Sequence, residues 1–386
     1  MAGTAQQYSA AQNMQARQLI IQEAREMWQV TNTNTVAAPI IGVPQNIPLR
    51  NIGMCKRLLL EVTGTVAAAG GADTQTLTKW GLANIFSQVT VTDLANYNRI
   101  QTTGWHLYTL ACLRRQLVYG GAYPNDAPVQ MGSNLQVNNG PSEVNAATGA
   151  QTFRMFFELP LAYSDTDLRG AIYSAVVNAT WQVSYTINPS FFVANAADPT
   201  TAVFISNGAT LGVLSNVVVK THQIYLDQLP FAQNGQPILP YYDLATGYLI
   251  QNTNFANTLT QGQDGVFQYP NFRSILSATI LYDNNGAQNP GTDINYIGIQ
   301  AANLVFLLQV DPFTISLRTR NTIGDDLPPG AYCLETRVSP INTTAYGNMQ
   351  IVINASNVGA TTNVLVGWEM LAIINSVAGA SSLPAT

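Results

Sequence analysis

The chain has 386 residues, of which only 10% are charged, and its formal net charge is −5. A typical soluble domain carries about 25% charged residues. Hydrophobic residues make up 47%, which excludes a disordered chain, and the acidic balance argues against direct contact with nucleic acid. Because interface cores are depleted in charge, this composition indicates a subunit that buries much of its surface against partners.

Residues 1–35 differ from the rest of the chain. Residues 9–30 contain no Gly or Pro. Apolar side chains recur there at spacings of three and four, namely at Ile20, Ile21, Ala24, Met27 and Trp28. This pattern predicts an amphipathic helix followed by a polar arm. Two interpretations remain open: a helix packed on its own domain, or an arm that reaches a neighbouring subunit or an interior surface.

The sequence gives no sign of export or of a membrane-spanning helix. The first residues lack a basic segment followed by an apolar run, so we expect no secretory signal. The longest apolar candidate, residues 363–380, contains Glu369 near its middle. It therefore falls short of the roughly 18 uninterrupted apolar residues that a spanning helix needs.

From residue 36 onward, short β-type runs alternate with Gly, Pro and Asn turns. Strands are predicted at 58–67, 88–93, 152–159, 181–187, 213–226, 277–283, 304–310, 350–354 and 363–374. Helices are predicted at 104–116, 165–177 and 293–304. Many short strands with few helices indicate an all-β sandwich or jelly roll and not a parallel α/β sheet.

A weak internal repeat divides the chain. Asp93 and Asp283 end similar strand-like runs 190 residues apart, and Pro160 and Pro340 follow similar runs 180 residues apart. Two similar offsets predict two tandem eight-stranded jelly rolls. We expect a helical arm at residues 1–35, a first jelly roll at 36–234 and a second at 235–386, with a few short helices in loops.

Motifs for catalysis or metal binding do not emerge. His106 and His222 have no spaced cluster of further ligands around them, and no phosphate-binding glycine loop is present. The acidic pair Asp165 and Asp167 could suggest a metal site. With Ser164 before them, however, they are better interpreted as the capped start of a helix, because a metal needs further oxygen ligands.

The cysteines agree with this negative result. Cys55, Cys112 and Cys333 are widely spaced and odd in number, so they form neither a metal-binding pair nor a disulfide framework. We expect buried, reduced thiols. The sequence therefore predicts no enzyme, no cofactor and no metal site.

Several short strings resemble, in order, segments of the major capsid proteins of tectiviruses. They are GWHLY at 104–108, PLAYSDTDL at 160–168, YLDQLP at 225–230, QNG at 233–235, ILP at 238–240, GTDINY at 291–296 and YGN at 346–348. The Gln-rich N-terminal segment is similar too. Residues 117–151 and 188–215 and the C-terminal tail show little resemblance.

The resemblance implies a double jelly roll in each subunit and a homotrimer with a pseudo-hexagonal outline. Such trimers would contact neighbouring capsomers and other capsid and vertex proteins in an icosahedral shell around an internal membrane. The resemblance also implies a virion protein, assembled in the host cytoplasm, whose N-terminal segment faces that membrane.

The membrane-proximal residues implied in this way are Met14, Arg17, Ile21, Arg25 and Trp28. Basic residues on an amphipathic helix suit an anionic lipid surface. Nearby glutamates offset these charges, so we expect proximity that is held by geometry and not independent membrane binding.

Two other classes remain alternatives at this point. An outer-membrane-type barrel shares the low charge and the strand pattern, but it needs an export signal. An all-β carbohydrate-binding protein also fits, because jelly rolls host sugar sites. A specific glycan ligand would favour the latter over a structural protein.

Overall fold

The computed structural model describes residues 20, 22, 24–36, 41–69, 73–78, 80–114, 141–165, 167–175, 179–194, 202–229, 248–269, 274–284, 293–301, 306–323, 330–336, 339–343, 349–358 and 362–373. Over these residues the chain is mostly β, as the sequence predicts. Within the same ranges, no helix combines the length and the apolar character that crossing a membrane requires.

The elements of the N-terminal half are, in chain order, β1 (Arg25–Val36), β2 (Pro44–Pro48), β3 (Met54–Ala67), β4 (Gln75–Leu77), a 3-10 helix (Gly81–Asn84), β5 (Phe86–Thr92), β6 (Asn98–Thr102), α1 (Gly104–Arg114), β7 (Glu143–Val144), β8 (Gln151–Pro160), β9 (Ile172–Tyr173), β10 (Gln182–Ile187), β11 (Phe192–Ala194), β12 (Phe204–Ser206) and β13 (Val213–Asp227).

The elements of the C-terminal half are β14 (Tyr248–Thr258), β15 (Asp264–Gln268), β16 (Ser274–Asn284), β17 (Ile294–Gln300), β18 (Phe306–Val310), α2 (Pro312–Ile323), β19 (Ala331–Glu335), β20 (Ile341–Asn342), β21 (Gln350–Ala355) and β22 (Thr362–Ile373).

Strand order follows one rule in both halves. The N-terminal half pairs its strands as β1-β13-β3-β8 and as β2-β10-β5-β6, and the C-terminal half pairs them as β14-β22-β16-β19 and as β15-β21-β17-β18. In each half the first strand pairs antiparallel with the last one, β1 with β13 and β14 with β22. Each half also carries an α-helix between the same two strands of this order, α1 between β6 and β8 and α2 between β18 and β19.

Alternating side chains build a core in each half. In β3, Leu58, Leu60 and Val62 point inward and join a cluster with Trp80 and Phe157. The C-terminal half has its own cluster, which includes Trp368 and Tyr282. Burying such a side chain contributes roughly 1.5–3 kcal/mol, so the period-2 pattern that predicts the strands also supplies the cores.

The two halves join edge to edge. Strand β14 pairs in parallel with β6 through Asn252 with Ile100 and Thr253 with Gln101. This pairing links a four-strand group from each half into one larger sheet. The N-terminal core cluster also takes in Leu281 from the C-terminal half. The halves therefore share both backbone pairing and buried apolar surface.

Two predicted helices are wrong. Within the predicted helix 165–177, the described residues 165 and 167–175 form a tight turn followed by the short strand β9, and residues 294–300 form β17. In the turn, the Ser164 N–H donates to the Asp167 carbonyl at 3.1 Å and the Asp167 N–H to the Ser164 carbonyl at 3.3 Å, so Ser164 caps no helix. Gly170 then adopts a φ of 89°, which a continuing helix cannot accommodate.

Candidate assembly surfaces

The N-terminal strand β1 replaces the C-terminal part of the predicted helix. Of the predicted membrane-proximal residues, Met14, Arg17 and Ile21 lie outside the described residues, whereas Arg25 and Trp28 lie in β1. The prediction of a helix over 25–30 is wrong because β1 pairs with β13 along its length, from Arg25 opposite Asp227 to Val36 opposite Val217. Tertiary pairing overrides local helix propensity here.

A backbone hydrogen bond and a buried side chain fix the chain just before β1. The Ala24 N–H donates to the Ile20 carbonyl at 2.9 Å, which is helical spacing, and the strand begins at the next residue. Ile20 is buried against Met54, Leu168 and Leu226 of its own half. The apolar face predicted from the sequence thus packs, at Ile20, on its own domain.

A buried lysine anchors the start of β1. The Lys56 ammonium lies 2.5 Å from a Glu26 carboxylate oxygen and 3.2 Å from one of Asp165. The Lys56 side chain is only 6% exposed. Asp165, which the sequence analysis weighed as a metal ligand, also lies 3.6 Å from Arg57. Its carboxylate therefore serves as a counter-ion for cations.

Further along, β1 presents an exposed aromatic side chain. Trp28 is 54% exposed, and its neighbour Met27 packs against the core on the opposite side of the strand. Trp28 lies directly opposite Ile224 of β13, and Val30 lies opposite His222. Trp28 therefore shares the outward face of the sheet with the row of side chains that includes His222.

A charged cluster occupies the middle of this outward face. A Glu61 carboxylate oxygen lies 2.8 Å from Arg154, and the other lies 3.0 Å from the His222 ring nitrogen. Burial by itself would raise the pKa of Glu61. The hydrogen bond to His222 and the charges of Arg154 and Lys220 outweigh burial and hold that pKa below its ordinary value.

Helix α1 covers the corresponding outward face of the C-terminal half. The His106 Nδ1 hydrogen-bonds the Thr279 hydroxyl of β16, and both residues are fully buried. Gly367 of β22, opposite Thr279, lies directly under the imidazole, where a Cβ would overlap the ring. A helix of one half therefore docks onto the second and third strands of the other half's sheet.

Helix α2 occupies the same position in the C-terminal half but exposes apolar side chains. On the inner side of the helix Ile315 is buried, whereas Phe313 is 75% exposed and Leu317 is 48% exposed. These two residues are one helical turn apart and share a face. We call this pair the α2 face.

Helix α2 was not predicted from the sequence, although a start signal is present. Asp311 caps the helix through its carboxylate, which accepts a hydrogen bond from the Thr314 N–H at 3.0 Å, and Pro312 follows in the first helical position. The hydrogen bonds from Thr314 lower the pKa of Asp311. The Asp-Pro step is thus the feature of the sequence that indicates the start of this helix.

Clustered metal ligands and cysteines are the other candidates for a chemical site. The described part of the chain contains no cluster of three or more His, Cys, Asp or Glu residues that could hold a metal. Cys55 and Cys333 are buried free thiols, as predicted, and burial raises the pKa of Cys55. The side chain of Cys112 lies outside the described residues.

Sequence comparison gives a consistent result over both halves. Residues 1–229 match the family model described as P3 major capsid protein N-terminal, and residues 245–383 match P3 major capsid protein C-terminal. The chain is 33% identical over 383 residues to major capsid protein P3 of Enterobacteria phage PRD1, covering 98% of this chain and 96% of that protein.

Solved structures show the same fold at low identity. A chain in the atomic structure of Sulfolobus Turreted Icosahedral Virus matches with a TM-score of 0.64 at 11% identity, covering 90% of this chain and 91% of that chain. The Faustovirus major capsid protein matches with a TM-score of 0.53 at 9% identity, over 97% and 92% respectively. Both neighbours are double jelly-roll viral capsid proteins. Together with the family models, these matches confirm the resemblance drawn from the sequence: the chain belongs to the P3 major capsid protein family.

Proposed function

We propose that this chain is the major capsid subunit of an icosahedral, membrane-containing bacteriophage and that three copies form a pseudo-hexagonal capsomer. It is a structural component of the virion, assembled in the host cytoplasm, and not an enzyme. The support is family membership over the whole chain together with the arrangement of the two halves.

The observation that carries the proposal is the common strand order of the two halves. Each half supplies eight strands to this order, four to each of two sheets, which suits an eight-stranded jelly roll. The first jelly roll then runs from β1 to β13 and the second from β14 to β22. We place the seam between them within residues 228–247, and the boundary expected at 234–235 is part of this proposal.

The junction between the halves suggests how copies assemble. Within one chain the last strand of one sheet, β6, pairs with the first strand of the next half, β14. An interface between two different surfaces makes a closed ring when its rotation closes. Three chains repeat this relation six times around one axis, which gives a six-sided outline. Side surfaces and loops would then contact neighbouring capsomers and vertex proteins.

The N-terminal segment is proposed to face the internal membrane. Met14, Arg17 and Ile21 precede the anchored start of β1, and the exposed side chains of Arg25 and Trp28 follow at that end of the strand. Trypsin provides a test because it cleaves after arginine. We expect cleavage at Arg17 in free trimers and protection in intact particles, and equal cleavage in both would contradict the inward placement.

The trimer itself is tested by light scattering on the purified chain. Three chains of 41.6 kDa have a mass of about 125 kDa, and electron microscopy of that species should show six-sided particles. A stable monomer of 41.6 kDa at high protein concentration would refute the capsomer proposal.

A further inference from the structure

Strands β1 and β18 have open edges in the described chain. Strand β1 ends the sheet β1-β13-β3-β8, and β18 ends the sheet β15-β21-β17-β18. Strand β14 corresponds to β1 in the C-terminal half, and β6 corresponds to β18 in the N-terminal half; β6 and β14 pair with each other. One pairing of this kind is therefore made within the chain, whereas the equivalent edges of β1 and β18 stay open.

The helices repeat the same asymmetry. The side chains of helix α1 are nearly all buried over its described residues. Trp105 and Leu110 join the core of its own half, whereas His106 contacts Thr279 of β16 in the other half. Helix α2, at the same topological position, leaves Phe313 and Leu317 exposed. A helix that is apolar on its outer side is expected to be covered in the working assembly.

We propose that the α2 face of one copy docks on the outward face of β3 and β13 in a second copy, over Glu61 and His222 and beside Trp28. This inference rests on the proposed trimer and names the surfaces that close it. The occupant is a second copy of this chain because the chain already contains the same contact between its own halves.

The register places the contact. Gly367, on which α1 rests, pairs with Asn254 near the middle of β14. The middle of β1 pairs through Val30 with His222. The strand positions that receive α1 in the C-terminal half therefore correspond to the part of β13 that carries His222 on its outward side.

The chemistry of the receiving surface suits this partner. The Arg154 guanidinium stacks on the Phe156 ring, 4.9 Å from its centroid, and Trp28 presents a half-exposed indole. Glu61 already pairs with both Arg154 and His222, and Lys220 lies opposite it on β13. The carboxylate that an apolar partner would cover therefore has its counter-charges beside it.

The first test compares Leu317→Asp with Leu211→Asp. Both leucines are partly exposed, at 48% and 43%, but Leu211 lies outside the α2 face. We expect Leu317→Asp to raise the trimer dissociation constant at least about tenfold, since a buried leucine contributes more than that factor. Leu211→Asp should leave the trimer dissociation constant within about twofold of the wild-type value. Thermal melting of each variant verifies that both variants fold.

Cross-linking identifies the receiving surface. In a Cys112→Ala background, the double variant Leu317→Cys and Lys220→Cys is treated with a short bis-maleimide. We expect covalent dimers and trimers from the double variant and only monomers from either single variant. Dimers from Leu317→Cys alone would show that two α2 faces meet each other, which overturns the inference.

The two proposals fail in different ways. If the wild-type chain is monomeric, the trimer itself is refuted. If it is a trimer that Leu317→Asp weakens no more than Leu211→Asp, the trimer stands and the α2 docking is refuted. Absence of cross-links in a stable trimer of the double variant refutes the docking as well, and it would indicate that another segment of the same chain covers the α2 face.

Discussion

The contact between His106 and Gly367 offers the sharpest test of how the two halves hold together. The change is Gly367→Ala. A Cβ at this position would overlap three atoms of the His106 ring, namely Nδ1, Cε1 and Cγ. The ring cannot swing away cheaply, because His106 is fully buried and hydrogen-bonds Thr279 on the neighbouring strand. Either the helix or the sheet has to move.

The expected cost follows from these contacts. Forcing a methyl group into a packed interior costs about 1–3 kcal/mol. Displacing the imidazole from Thr279 adds about 1–3 kcal/mol, since it leaves buried polar atoms without their hydrogen bond. We therefore expect Gly367→Ala to lower the free energy of unfolding by about 2–6 kcal/mol, measured by urea denaturation at one fixed protein concentration.

The double variant with His106→Ala isolates the cause. Removing the imidazole opens the space that the new methyl group needs, so Gly367→Ala should cost less than about 1 kcal/mol in the His106→Ala background. If Gly367→Ala costs the same in both backgrounds, the two residues are not coupled. That result would refute the docking of α1 on β16 and β22 as we describe it.

Two further predictions concern charge. Lys56→Met leaves Glu26 and Asp165 without their shared cation. Because both carboxylates are partly solvated, we expect the free energy of unfolding in urea to fall by about 1–2 kcal/mol. Adding Glu26→Gln should partly restore it. The pKa of Glu61 is lowered in the folded chain, so the ionised carboxylate stabilises the fold at any pH above the ordinary glutamate pKa of about 4.3. This stabilisation is lost as the pH falls through the folded-state pKa. Glu61→Gln should flatten the decline of the melting temperature between pH 6 and 3.5, and an unchanged decline would contradict the assignment.

Strands with a clear two-residue alternation could be predicted from the sequence. Strands β3, β8, β13, β16 and β22 lie where they were predicted, because their inward residues are nearly all aliphatic or aromatic. Helix α1 was also predicted correctly over residues 104–114, and residues 115–116 of that prediction lie outside the described residues. In these segments, local propensity and burial favour the same structure.

The conformation of strand β1 could not be predicted from local sequence. Its first residues, Arg-Glu-Met-Trp, are acceptable in a helix, and the helical spacing of apolar residues continues through them. Pairing with β13 decides their conformation, and that partner lies almost 200 residues away in the sequence. A single sequence contains no local signal of such a partner, so the position of Trp28 on the outward face of a sheet could not be predicted.

The internal repeat was detected, but only one of its two pairs aligns equivalent positions. Pro160 ends β8 and Pro340 follows β19, and these strands hold the same place in their sheets. Asp93, in contrast, follows β5, whereas Asp283 lies in β16, and these strands hold different places. Loops of unequal length change the offset from strand to strand, so one fixed spacing cannot align the two halves.

The difference between α1 and α2 explains why one helix was easy to predict and the other was not. The partner sheet of α1 belongs to the same chain and is present as soon as the chain folds, so α1 can be buried on nearly all sides, with Trp105, His106 and Leu110 all buried. If the partner of α2 arrives only on assembly, the free subunit must keep that helix in water. Its sequence then has to combine an apolar pair, Phe313 and Leu317, with polar neighbours such as Arg320. Such a mixed pattern gives a weak helical signal, and it is the pattern expected of a surface that is exposed before assembly and buried after it.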